Sequence, residues 1–193
     1  MAFTMWDNNP TWSENGMGTR NKTLCCAVLI LSCITALCFT TAALAFEQIS
    51  GAFGYNPGEI LADSEIASLE PNENGLAFFA VTPRQASPLY TSYFLAIMPA
   101  SKQLVQVMAV QSMTDPNEAN SFFQAQRQEL DAGFGPSVQA DDGHCTWDQG
   151  DMSVYLYNFP ENQGFYNVVI VYQNDALADL ARRIHTGDFQ GYQ

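Results

Sequence analysis

Lysine and arginine are scarce in this chain: 7 of 193 residues, against 20 aspartates and glutamates, for a net charge of −13. Gripping nucleic-acid phosphates takes a basic patch, and so does docking on anionic lipid. The charge balance argues against both partners. Histidine occurs twice, at His144 and His185. Four of the five cysteines (Cys25, Cys26, Cys33, Cys38) lie in one apolar run and behave there as small apolar residues, so they form no disulfide framework. Only Cys145 stands outside that run. No Ser-x-x-Lys or G-x-S-x-G element is present, and the glycines of SGAFGYNPG lack the lysine of a phosphate loop. Nothing reads as a cofactor site. There is no internal repeat and no low-complexity tract.

What the chain does have is a long oily stretch. From Thr23 to Phe46, 24 residues pass without a charge. At about 1.5 Å per residue, a helix of that length crosses a hydrocarbon core of about 30 Å. A helix bonds its own backbone groups, so lipid accepts it. Arg20 and Lys22 precede the run, and the first charges after it are Glu47 and Glu59. The positive-inside rule therefore places residues 1–22 in the cytoplasm and the C-terminal part outside. The run also has the parts of a signal peptide: a basic lead, an apolar centre, and Ala43-Leu44-Ala45 as an A-x-A site cutting between Ala45 and Phe46. The polar lead MAFTMWDNNPTWSENG is unlike such a lead, whereas MGTRNK read from Met17 fits one. Met17 is thus a candidate start. Two fates stay open for residues 23–45: a cleaved signal, or a single retained transmembrane helix.

The remaining residues, 46–193, hold 18 acids and 5 bases and are long enough for one domain with its own core. Strands are expected at Gly75–Val81, Leu89–Met98 and Leu104–Met113, the last two joined as a hairpin through Pro99–Lys102. Asp115-Pro116-Asn117-Glu118 reads as an aspartate-capped helix start with proline at the first helical position. Ala119, Phe122, Phe123 and Leu130 share its apolar face, and Gly133 and Pro136 stop it. After a polar loop, Ser153–Phe159 and Phe165–Tyr172 form a second hairpin. A last helix opens at Asn174 or Asp175, with Ala176, Leu177, Leu180, Ala181 and Ile184 as its buried stripe and Gly187 after it. Hairpin connections mean antiparallel pairing. The expectation is an α+β domain: an antiparallel sheet with about two helices packed on one face.

Three short elements carry a family likeness: Phe53-Gly54 with Gly58, the turn Phe134-Gly135-Pro136, and Trp147 ahead of an antiparallel pair. With them the chain resembles small exported bacterial proteins of unknown function. That resemblance implies a fold and no activity, and the proline directly after Gly135 departs from its turn pattern.

Candidate sites are few. His144 and Cys145 are adjacent, and adjacent residues in an extended segment point to opposite faces, so His144 is poorly placed to activate that thiol. A structural role for Cys145 is the simpler reading, with an intermolecular disulfide as another. Asp141, Asp142, Asp148 and Asp151 are candidate ligands for a hard cation, but their spacing matches no calcium loop and reads first as a solvated turn. Tyr155, Tyr157 and Phe159 fall on one side of a strand opposite Val154 and Leu156. An antiparallel sheet clad with helices on one face leaves its other face open, and aromatics there make a binding surface.

The function expected is a non-catalytic binding or assembly module of the cell envelope. It would be held at the inner membrane by residues 23–46, or be periplasmic or secreted after cleavage, and would meet a protein partner. The alternative is a hydrolase-like envelope enzyme built on His144, Cys145 and the Asp141–Asp151 loop. N-terminal sequencing of the protein recovered from cells separates the two fates of the apolar run. A chain starting at Phe46 reports cleavage, a longer chain sedimenting with membranes reports a retained span, and a full-length chain in the cytosol contradicts both.

Overall fold

The computed structural model describes residues 46–141, 143–161 and 164–188. Residues 1–22, the apolar run 23–45, Ala45 of the cleavage pair and Asp142 lie outside them. Among the described residues no helix is long and apolar enough to cross a membrane.

Among the described residues seven strands form one antiparallel sheet: β1 (Ala77–Ala80), β2 (Ser92–Met98), β3 (Gln103–Met113), β4 (Val138–Asp141), β5 (His144–Gln149), β6 (Met152–Pro160) and β7 (Tyr166–Asn174). Their spatial order is β1-β2-β3-β7-β6-β5-β4. Two meanders, β1-β2-β3 and β4-β5-β6-β7, thus meet through β3 and β7 at the centre. Helix α1 (Pro116–Phe134) joins the meanders, and α2 (Asp175–Thr186) follows β7. The fold is α+β. Residues 62–74 contain one 3₁₀ turn, Asp63–Glu65.

The caps follow from sequence. Asp115 takes the Asn117 N–H at 2.7 Å ahead of Pro116, and Asn174 takes the Leu177 N–H at 3.0 Å. Helix α1 runs through Gly133 and ends one turn-residue later than expected, with Gly135 as its cap. Gly135 has φ +95°, and a Cβ there would lie 3.1 Å from the Phe46 ring. Trp147 locks the same corner: its indole N–H lies 3.0 Å from both Asp131 Oδ1 and the Gly135 carbonyl. The Phe134-Gly135 turn and Trp147 therefore form one device holding the end of α1 to β5.

The helices do not share a face. Ala119, Phe123 and Leu130 of α1 pack with Ala109, Cys145, Trp147, Val154, Leu156, Val168 and Ile170. The rest of that side, over β1, β2 and β3, is taken by Tyr55 and Leu61 against Ala77, Leu95, Ile97 and Val107. No apolar surface is left there for α2. Its residues Leu177, Ala178 and Ala181 instead meet Ala96, Met98, Val105 and Met108, the alternate residues of β2 and β3, on the other side. The buried stripe of α2 is narrower than its apolar residues imply. Ala181 is buried, Leu177 and Leu180 are half-buried, and Ile184 is 53 % exposed.

A tight turn precedes the sheet. Ala52 and Tyr55 exchange backbone hydrogen bonds of 3.0 and 2.9 Å around Phe53 (φ +57°) and Gly54 (φ +82°). Two positive φ values mark a type I′ turn, where glycine is at ease and phenylalanine is not. The Phe53 ring holds the turn in place by edge contacts to Tyr90, Tyr93 and Tyr172, with centroids 5.6, 5.1 and 6.4 Å away. Phe53→Asn relieves backbone strain of about 1 kcal/mol but removes packing worth more, for a net loss of about 2 kcal/mol. Urea unfolding of the full-length chain measures it, and a stabilised variant would show that the ring is no anchor.

Candidate functional site

On the sheet face opposite α1, α2 lies over β2, β3 and β7. Beyond that helix the face is built by strand parity. The register of β5, β6 and β7 sets His144 beside Tyr157 and Tyr157 beside Val169, and it sets Thr146 beside Tyr155 and Tyr155 beside Val171. His144 and Tyr157 stack with centroids 4.5 Å apart, and Tyr157 and Tyr155 lie parallel at 6.2 Å. Phe159, 44 % exposed, continues the row along β6. Tyr155, Tyr157 and Phe159 thus stand on one side, as period two requires. His144 joins them, a membership that the alternation of HCTWDQ already contained.

A polar cluster closes one end of this file. Asp175, the first residue of α2, gathers the donors. Tyr155 donates its hydroxyl to Asp175 Oδ1 at 3.1 Å, and Gln173 Nε2 donates to the same oxygen at 2.5 Å. The buried Ser153 hydroxyl lies against Asp175 Oδ2 and 2.7 Å from Asp148 Oδ1. Gln106 Nε2 donates to Gln173 Oε1. The sequence showed no sign of this cluster, because its members come from five separate elements. Burial, then the negative charge of Asp175, pushes the Tyr155 phenol up to about 12, and burial raises Tyr157 as well.

The other candidates fall apart in space. Cys145 is 0 % exposed beneath α1, on the face away from His144. Burial pushes its thiol up, although Arg127 and Ser137 oppose the shift, so it lacks the environment of an activated nucleophile. His185 sits on α2 over Gly75, on the side opposite Cys145. The polar loop expected ahead of Ser153, with its Asp141–Asp151 stretch, instead holds two strands, β4 and β5. Asp141, the last residue of β4, pairs with His144 at one end of β5, and its carboxylate takes the Gly143 N–H at 2.9 Å. Asp148 and Asp151 lie toward the other end, with Asp148 already roughly 13 Å away at strand rise. No group of three His, Cys, Asp or Glu able to hold a metal occurs among the described residues.

The charge around the aromatic file is one-sided. No lysine or arginine occurs between Arg127 and Arg182, while nine aspartates and glutamates do, and that stretch supplies β4 through β7. No family model, curated protein or solved structure matches the chain.

The tyrosines set an alkaline limit on stability. Tyr172 is also pushed up to about 12, first by burial. In the range between the ordinary 10.0 and about 12, the folded chain keeps phenolic protons that the unfolded chain releases, so the stabilisation is complete below 10 and is lost as pH rises toward 12. Unfolding midpoints followed across this window should fall. Asp175→Asn should lower the Tyr155 titration seen in phenolate absorbance, and an unmoved titration would separate the two groups.

Proposed function

We propose that this chain is an exported binding or assembly module of the cell envelope, without chemistry of its own, which grips a cationic protein segment on its open sheet face. The observation that carries this reading is the stacked, half-buried file His144–Tyr157–Tyr155 on strands that hold no lysine or arginine. Guanidinium groups stack on aromatic faces and pair with carboxylates. Asp148 and Asp175 at the end of the file, and the half-buried rings beside them, offer both contacts. Aromatic residues are enriched in protein interfaces, and a rim of one charge sign speeds the encounter with its opposite. A second copy of the chain is a poor occupant, since two molecules of charge −13 repel. The apolar run 23–46 delivers the domain across the membrane, whether it is then cut or kept. A kinship with small exported bacterial proteins belongs to the same reading.

A photo-crosslinking residue at Tyr157, in the full-length chain in producing cells, tests this. It should trap a discrete protein through a segment bearing arginine or lysine, with the yield falling as salt is raised. The same residue at Gln124, exposed on α1, should not trap it. Equal trapping at both positions, or none at Tyr157, overturns the reading.

A further inference from the structure

On the other side of the sheet, a cleft of about 320 Å³ opens between the C-terminal half of α1 and the segment 47–53. We propose that it binds a small organic cation, a protonated amine carrying an aromatic or alkyl body. This site is separate from the open face and does not depend on it.

The cleft wall formed by the segment from Glu47 is fixed by hydrogen bonds to the end of α1 and to the Gln149 side chain. Glu47 N–H reaches the Gly133 carbonyl at 2.8 Å. Gln149 takes the Ile49 N–H at 2.9 Å and returns its own amide to the Glu47 carbonyl at 3.0 Å. Its volume sits at the lower end of small-ligand sites, about 300–1,000 Å³, which limits the occupant to a small molecule. Phe53, Tyr90 and Tyr172 give it aromatic walls. Phe53 is placed there by a backbone conformation that a bulky side chain seldom adopts, and such strain concentrates where ligands bind.

The polar groups fix the sign of the ligand. Glu47 and Glu129 stand on the rim, both exposed, and among the described residues no lysine, arginine or histidine lines the cleft. Tyr90 donates to Gln126 Oε1 at 2.7 Å, so that pair is satisfied within the protein. Tyr172 differs: no described residue hydrogen-bonds its hydroxyl, which burial first, and then the charges of Glu129 and Glu47, keep protonated. A neutral hydroxyl between two carboxylates and ring surfaces completes the coordination of an ammonium group. An anion would meet only repulsion at the rim, and a neutral ligand would leave both carboxylates without a counter-charge.

Calorimetric titration of the full-length chain in non-ionic detergent with phenethylammonium and its neutral analogue 2-phenylethanol is the test. Saturable binding of the amine, at least about tenfold tighter than the alcohol and weakened by salt, is expected. Glu47→Gln with Glu129→Gln should abolish that preference. Tyr172→Phe should weaken the amine alone, and Tyr157→Ala on the open face should change nothing. Absent amine binding, equal affinity for the two probes, or an equal loss in Tyr157→Ala overturns the proposal. The comparison of the two probes on the unaltered chain decides even where a variant does not fold.

Discussion

The ladder between β3 and β7 is the constraint on which the rest of the molecule depends. Eight successive pairs, from Gln106 opposite Gln173 to Met113 opposite Tyr166, join two meanders that share no other strand pairing among the described residues. Because side chains alternate with period two, this register decides which residues meet α1 and which face away. Ala109 and Ile170 turn toward Phe123, while Val110 and Val169 turn toward the open side. A slip of one residue would carry Tyr172 out of its cleft and Val171 into it. The partners are also distant in sequence, so the two halves close only after a long loop is ordered.

Much of this was legible in the residues. Strands rich in β-branched and aromatic residues, both helix caps and the parity of Tyr155, Tyr157 and Phe159 all follow local rules, and each holds in the fold. What local rules could not supply was the side each helix takes. An apolar stripe on α2 says that it is buried, but the choice of face depends on Tyr55 and Leu61 having already filled the alternative. Strands β4 and β5 were hidden for another reason. Their segment is crowded with Asp, Gly and Gln, and only Cys145 and Trp147 carry the alternation. The cleft had no sequence signature at all, since Glu47, Phe53, Tyr90, Gln126 and Tyr172 are brought together by topology alone.

The few cations of the domain are engaged in holding its own parts. Arg84 reaches Glu59 at 2.8 Å and Glu65 at 2.9 Å and lies 4.4 Å over the Tyr55 ring, which ties the segment before β1 to the loop after it. Lys102 pairs with Asp63 at 2.5 Å, and Arg127 lies 3.6 Å from Asp131 in the corner that Trp147 closes. With these bases turned to internal pairs, the remaining carboxylates face solvent without local neutralisation. The negative field of the domain is therefore a property of its surface, and it bears on both the aromatic file and the cleft rim.

The outermost strands, β1 and β4, are four residues long. Pro71, which has no N–H to give, bridges to β1 at Ala77, and β4 breaks register before Asp141. A seven-stranded open sheet ordinarily presents two borders on which a neighbour's backbone can template itself. Here both borders are ragged and short, so crowding many copies in a confined compartment gives them little from which to nucleate cross-β stacking.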